Sequence, residues 1–262
     1  FTTEDFRYYW EDVANHDMLA PTGPPAVLRV NGKPPVVTII DETTIRYEWE
    51  SPNPAFLPAL AGARPLYIYR PAHYLRKYHA RYKDKAKLNA KAKKKGQRNW
   101  AALHNKLDHQ YKNKNIRLPS LQPWVNTTKG PSEQYIFKRN PYYHKVDPEG
   151  RQLPYIDRVV FSIASGKIIP AKVGTGQADL QARYLRFDNF TFLKKNEKKS
   201  GFNTRLWRTG KGAHMALFPN LNTNDPVWRK LLRDVRFRRA ISLAVNRHEL
   251  NRVIYFGLAL EA

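Results

Sequence analysis

Cysteine is absent from all 262 residues. That excludes a disulfide scaffold, thiolate metal sites and a cysteine nucleophile together. It leaves the redox compartment open, since an oxidising one would do this chain no harm. No apolar run approaches the roughly 18 residues that a membrane-spanning helix needs. The signatures of common chemistry are missing too: no G-x-x-x-x-G-K-[S/T] phosphate cradle, no H-E-x-x-H and no G-x-S-x-G. Gly174-Thr-Gly176 is followed by Gln-Ala-Asp, so a dinucleotide fingerprint fails. The eight histidines are scattered, and His73/His79 and His104/His109 miss the i, i+4 spacing that puts two ligands on one helix face. Among so many lysines they read as surface residues. The acidic pairs Glu4/Asp5, Glu11/Asp12 and Asp41/Glu42 read as helix-start or turn residues. The residues by themselves therefore describe a binding protein without a catalytic constellation.

What the chain does have is apolar material and positive charge. With 42% hydrophobic and 13% aromatic residues, it can build a core, in one large domain or two ordinary ones, and is not a disordered sequence. Acids are scarce, 22 against 46 Lys and Arg, for a net charge of +24. The imbalance is local. Residues 1–50 carry four basic and nine acidic side chains, residues 51–132 eighteen and two, and residues 133–262 twenty-four and eleven. A basic middle is set into a chain with an acidic start. Residues 83–98 hold seven lysines, which read as surrounding every face of any helix there, so that none of its sides could be buried. A solvated excursion and an electrostatic footprint for phosphate backbones both fit that stretch. Trp100, Leu103 and Leu107, at helical spacing just beyond it, favour core packing over base stacking.

Periodicity predicts mixed α/β structure. Thr2 and Asp5 form a capping-box pattern, with Phe6, Tyr9, Trp10 and Val13 on one face of a helix running to Val13. Val27–Val30, Asn31-Gly32 and Val36–Ile40 read as a hairpin, followed by a strand over 44–50. Further strands are expected at 66–69, 133–138, 158–163, 204–208 and 213–219. Helices are expected at 55–61, from Pro71, at 168–173 and 187–199, and through the C-terminus, where Asn246 and Glu249 cap the last one.

Several segments then resemble one family in order: Arg139-Asn-Pro-Tyr-Tyr143, Leu153-Pro-Tyr-Ile-Asp-Arg-Val-Val160, Gly174-Thr-Gly-Gln-Ala-Asp179, and Asp234-Val-Arg-Phe-Arg-Arg-Ala-Ile-Ser-Leu-Ala-Val-Asn-Arg247. Phe1–Phe6, Thr44–Trp49 with Pro52-Asn-Pro54, and Tyr69-Arg-Pro-Ala-His73 fit the same pattern. The series is similar to the extracytoplasmic solute-binding proteins of peptide-type ABC importers, family 5, over nearly the whole chain apart from residues 83–118. Departures are His144 where the family has tryptophan, Asn246 where aspartate is usual, and Trp124–Pro131 where a G-x-G-P-Y is expected. The match also starts and stops inside the family pattern. The chain opens at Phe1 without a leader, which implies a removed leader or an excerpt of a longer protein.

The resemblance implies an α/β fold of the periplasmic-binding-protein type II kind, two lobes of mixed sheet with flanking helices, in part. Residues 1–118 would be a small-lobe-like segment with the basic insertion 83–98, residues 119–219 the return through the first large-lobe domain, and residues 220–262 the start of the second lobe. It implies an extracytoplasmic, monomeric binding protein, without cofactor or turnover, that closes on a short peptide and hands it to a membrane ABC permease. The ligand-binding residues it implies are His73, Val173, His214, Phe218, Asn220 and Asn222. Phe218 would pack on a ligand side chain, and Asn220 and Asn222 would offer amides. Structural roles compete at two of these: Asn222 could hold its own turn, and His73 could cap its own helix. The alternative function is a nucleic-acid-associated protein using the Lys-rich 76–117 face.

Overall fold

Asp5 ties the start of the chain to residues 70–72. In the computed structural model, which describes residues 1–62, 66–109, 115–208, 210 and 216–260, its carboxylate closes the capping box of helix α1 (Thr3–Arg7), accepting from Thr2 N at 3.0 Å. The other carboxylate oxygen accepts from Ala72 N at 2.8 Å, at the start of helix α3 (Ala72–Leu75). Beyond Arg7 the helix widens to a π-helix over Tyr8–Ala14, a form that recurs at functional places because it displaces side chains from the regular helical phase. The expected apolar face is present, and Tyr8 joins it fully buried.

The chain divides at Ile163/Ala164 into two units. In unit 1, β1 (Val36–Ile39) pairs antiparallel with β2 (Ile45–Glu48), Val37 opposite Tyr47. Asn31 and Gly32 do form a left-handed turn, φ 52° and 80°, but only Val30 and Lys33 pair across it. The expected partner strand at 27–30 is instead a 3-10 turn, Ala26–Leu28, whose Leu28 carbonyl accepts from Trp49 Nε1 at 2.9 Å. Helix α2 (Phe56–Ala61) follows. Residues 66–69 form no strand: Ile68 is buried, and Arg70 N bonds the Asp5 carbonyl at 3.0 Å rather than a strand neighbour. After α3 come α4 (Lys85–Lys94) and α5 (Trp100–Leu107). A second sheet has the order β3 (Trp124–Asn126), β4 (Gln134–Arg139), β5 (Arg158–Ser162), all antiparallel. The sequence reading missed β3, which is only three residues long. The core of unit 1 gathers Tyr8, Tyr9, Val13, Leu28, Leu75, Leu88 and Trp100.

The lysine stretch differs from expectation. Asp84 caps α4 by accepting from Lys87 N at 2.7 Å, and Leu88 and Ala92, four residues apart, are buried against α5. Two small apolar residues at i, i+4 suffice to seat a helix whose other positions are solvated. Leu88→Ala is therefore expected to lower stability by about 2–5 kcal/mol, read from the urea midpoint. Replacing exposed Lys85, Lys87 and Lys93 with glutamine is expected to move it by no more than about 0.5 kcal/mol. Equal effects of the two changes would contradict the seating.

Unit 2 contains α6 (Ile169–Gly174), α7 (Phe190–Ser200), α8 (Pro226–Arg233), α9 (Val235–Leu243) and α10 (Arg247–Tyr255). The helix starts are locally well specified. Asp225 accepts from Val227 N and Trp228 N, Asp234 from Arg236 N, and Asn246 from Glu249 N, the last as the sequence predicts. Helices α6 and α7 approach closely at Gly174, where a Cβ would lie 2.5 Å from Phe192 Cε1, and Ser200 Oγ donates to the Gly174 carbonyl at 2.8 Å. The described residues of the two strands expected at 204–208 and 213–219 form no strand, and positions 213–215 lie outside the described residues. Among the described residues of this unit only Val173, Gly174 and Leu193 are buried. Trp228, Val235, Leu243 and Val253 stand exposed on α8, α9 and α10.

Candidate functional site

The residues implied by resemblance occupy separate elements. His73 is exposed on α3, Val173 is buried on α6, and Phe218 is 87% exposed ahead of a turn. In that turn Asn220 Oδ1 accepts from Asn222 N at 3.1 Å, and Asn222 Oδ1 accepts from Arg233 Nη2 at 3.2 Å. Both amide oxygens are thereby engaged within the turn and with α8. His214 lies outside the described residues.

A concave site does exist in unit 1. A cleft of about 390 Å³ is lined by Tyr9, Val13, Leu19, Ala20, Arg70 and Asp108, among others, within the usual range for small-molecule sites. Its polar centre is Arg70. The guanidinium lies over the Tyr9 ring, 4.9 Å from the centroid. Nε donates to Asp108 Oδ2 at 2.5 Å, and Nη1 donates to the carbonyls of Tyr67 and Tyr69 at 3.1 and 2.8 Å. Nη2 has no hydrogen-bond partner among the described residues. Asp108 sits one residue past α5 and is 8% exposed. Burial raises its carboxyl above the usual range, while the Arg70 charge and hydrogen bond pull it down. Its second oxygen, Oδ1, is buried without a hydrogen-bond partner. Burial likewise raises the Tyr9 phenol, with Arg70 opposing. Among the described residues implied by resemblance, none is in the lining of this cleft. Arg70 stood inside the Tyr69–His73 segment, where the sequence reading took His73 instead.

The histidines are corrected by the structure. His79 and His104 are 1% and 0% exposed rather than on the surface. Tyr8 Oη and His104 Nε2 are hydrogen-bonded at 2.7 Å, and His79 Nε2 is bonded to the Asp12 carbonyl at 2.9 Å. The His79 ring meets Trp100 at 4.9 Å, His16 at 5.3 Å and His104 at 5.7 Å. Burial lowers both imidazoles, His104 to about 3, with neighbouring His79 and Arg70 adding to it. Asp12, read as a helix residue, is buried. It accepts from Arg81 Nη1 at 2.5 Å, Tyr82 Oη at 2.6 Å and Arg7 Nη2 at 3.3 Å. These contacts outweigh the cost of its burial and hold its carboxyl below the usual range. Among the described residues no group of three metal-binding side chains occurs, and no helix is long and apolar enough to cross a membrane.

Comparison with known proteins agrees with the resemblance. A solved oligopeptide-binding protein OppA is 32% identical with a TM-score of 0.74, covering 99% of this chain and 41% of that one. The periplasmic binding protein MelB of Agrobacterium fabrum C58, solved in complex with stachyose, is 21% identical with a TM-score of 0.63 over 97% of this chain and 36% of its own, a likeness of fold. The periplasmic alpha-galactoside-binding protein of Rhizobium meliloti (strain 1021) is 24% identical over 98% of this chain and 35% of its own. The chain thus spans about a third to two-fifths of these relatives. Their fold is the mixed α/β one expected from sequence, matched here in part. Residues 1–262 match the model of the bacterial extracellular solute-binding proteins, family 5 Middle, and the chain belongs to that family.

Proposed function

We propose that this chain forms part of an extracytoplasmic protein that holds an extended solute, a short peptide, and presents it to a membrane ABC permease without chemical turnover. The observation that carries this is the likeness to the oligopeptide-binding protein OppA, at 32% identity and a TM-score of 0.74. The two sugar-binding relatives are less similar, at 24% and 21% identity. The proteins matched are solute-binding proteins, so the nucleic-acid alternative gains no support, and the lysine helix is anchored by Leu88 and Ala92 on α5. The segments 1–118, 119–219 and 220–262, the monomeric state, and the roles of His73, Val173, His214, Phe218, Asn220 and Asn222 remain part of this proposal. Phe218, as an exposed aromatic ring, and the polar turn after it have the chemistry to meet a peptide side chain and backbone.

The test is native mass spectrometry of the chain, gently purified without refolding. Adducts of short-peptide mass, released by mild activation, are the expected result. Adducts of oligosaccharide mass would replace the peptide by a sugar. Oligonucleotide adducts stripped by moderate salt, or a bare mass, would overturn solute capture by this chain.

A further inference from the structure

The seven lysines of residues 83–95 are all exposed, and none has an acidic partner among the described residues. The lysine ion pairs of those residues are Lys33–Glu50 and Lys194–Glu197, both elsewhere. Acids near the start of the chain go to arginines: Glu4 to Arg7 and Arg76, Glu11 to Arg7, and Asp12 to Arg81. Asp84, the only acid in residues 76–107, is the cap of α4. The scaffold also fixes where the charges stand. Leu88 and Ala92 seat α4, so at about 100° per residue Lys87, Lys93 and Lys94 face away from the core. Lys91 Nζ lies over the Tyr78 ring, 4.4 Å from its centroid. At the far end Lys106 Nζ donates to the Lys95 carbonyl at 3.4 Å, which brings in an eighth ammonium.

A discrete anion needs convergent donors, and these are spread along a helix of ten residues, about 15 Å. A plane of many mobile anions can meet them together, since each charge rides on a flexible four-carbon stem. A nucleic acid fits less well. Arg98 is the lone arginine of residues 83–98 and Trp100 is 1% exposed, so arginine forks for base edges and a tryptophan for stacking are missing. The outward side of α4 carries Ala86 and Ala90 and no large apolar residue, so it can lie on a lipid surface without entering it. We propose that this side of α4, with Lys83, Lys95 and Lys106 at its ends, docks on the anionic headgroups of a lipid bilayer by charge alone. The docking goes beyond the solute capture proposed above and depends on no particular solute.

The experiment is co-sedimentation of the 262-residue chain with vesicles of equal parts phosphatidylglycerol and phosphatidylcholine, against vesicles of phosphatidylcholine alone. The chain should sediment with the first and stay in solution with the second. Each lysine close to an anionic surface favours binding about fivefold, so Lys87→Gln, Lys93→Gln and Lys94→Gln together should lower the partition coefficient roughly a hundredfold. Far-UV circular dichroism should be unchanged, since all three are exposed. Lys195→Gln, Lys198→Gln and Lys199→Gln remove the same charge from exposed positions of α7 and should lower it no more than about twofold. A footprint needs no variant. Bound vesicles should slow acetylation of Lys87, Lys93 and Lys94 by acetic anhydride severalfold and leave Lys195, Lys198 and Lys199 unchanged. No sedimentation with the anionic vesicles, equal loss in the two triple variants, or a footprint shared by both helices would each overturn the inference. So would a short DNA duplex that strips the chain from the vesicles at equal phosphate concentration, which would make the lysines a nucleic-acid surface. A bare mass in the mass-spectrometric test leaves the docking unaffected, and failed sedimentation leaves solute capture unaffected.

Discussion

Lowering the pH from 7 to 4 is expected to destabilise unit 1 by roughly 3 kcal/mol through His104 alone, with His79 adding in the same sense. A histidine unfolds to an ordinary pKa of about 6.5, and His104 when folded titrates at about 3. Below pH 6.5 the unfolded chain takes up a proton that the folded chain refuses, so each pH unit down to the folded value removes about 1.4 kcal/mol. The stability is fully present above pH 6.5 and declines through the window from there to about 3. Asp12, whose carboxyl is lowered, adds a further loss only below the ordinary carboxylate pKa of about 3.9. Asp108 acts in the opposite direction. Its raised carboxyl weakens the fold at neutral pH, and that penalty is relieved as the pH falls through its folded value. Urea midpoints from pH 7 to 4 should therefore fall in the parent and flatten in a His104→Asn variant, even though that variant starts lower for loss of the Tyr8 bond. Parallel profiles would dismiss the role of His104.

Amide exchange in α8, α9 and α10 is expected to run at least about a hundredfold faster than in α5, a difference of about 2.7 kcal/mol in opening free energy. Helix α5 buries Trp100, Ala101, Leu103 and His104, so it opens only with the core of unit 1. The three C-terminal helices bury no residue. Their caps are sound, but caps contribute about 1 kcal/mol each, and helices of eight or nine residues are marginal in water without a packed face. Trp228, 53% exposed, offers a second reading of the same property: its fluorescence should be quenched by acrylamide nearly as readily as free tryptophan, unlike that of Trp100. Slow exchange in α8 would mean that another surface covers Trp228 and Leu231 in solution.

Local signals carried much of the architecture. The Thr2–Asp5 capping box, the Asn246 cap and the apolar spacing Trp100–Leu103–Leu107 involve neighbours within a few residues, so they are readable before any fold is known. The misreadings lie where tertiary partners decide. Asn31-Gly32 makes its turn, yet Val36–Ile39 pairs forward with Ile45–Glu48, because the Leu28 carbonyl is taken by the Trp49 side chain. The cleft was illegible for the same reason. Arg70 and Asp108 are 38 residues apart, and no periodicity links them. One clue was available. In residues 51–132 only Asp84 and Asp108 oppose eighteen basic side chains, and each proves to be committed, one as a helix cap and the other as the arginine's partner. Scarcity of one charge sign marks the places where that sign is structurally required. His79 and His104 misled by their lysine-rich surroundings, which describe the outside of helices that also have an inside.

The π-helix at Tyr8–Ala14 bears on how this segment can change in length. An α-helix turns by about 100° per residue, so losing one residue there would be a rotation, not a gap. Restoring regular winding by deletion would swing either the Tyr8 side or the Asp12 side of the helix away from its partner, His104 on one hand and Arg81 with Tyr82 on the other. The extra residue is what lets one short helix address both at once, so related sequences that keep the two contacts should keep the residue count between them even where the residues themselves vary.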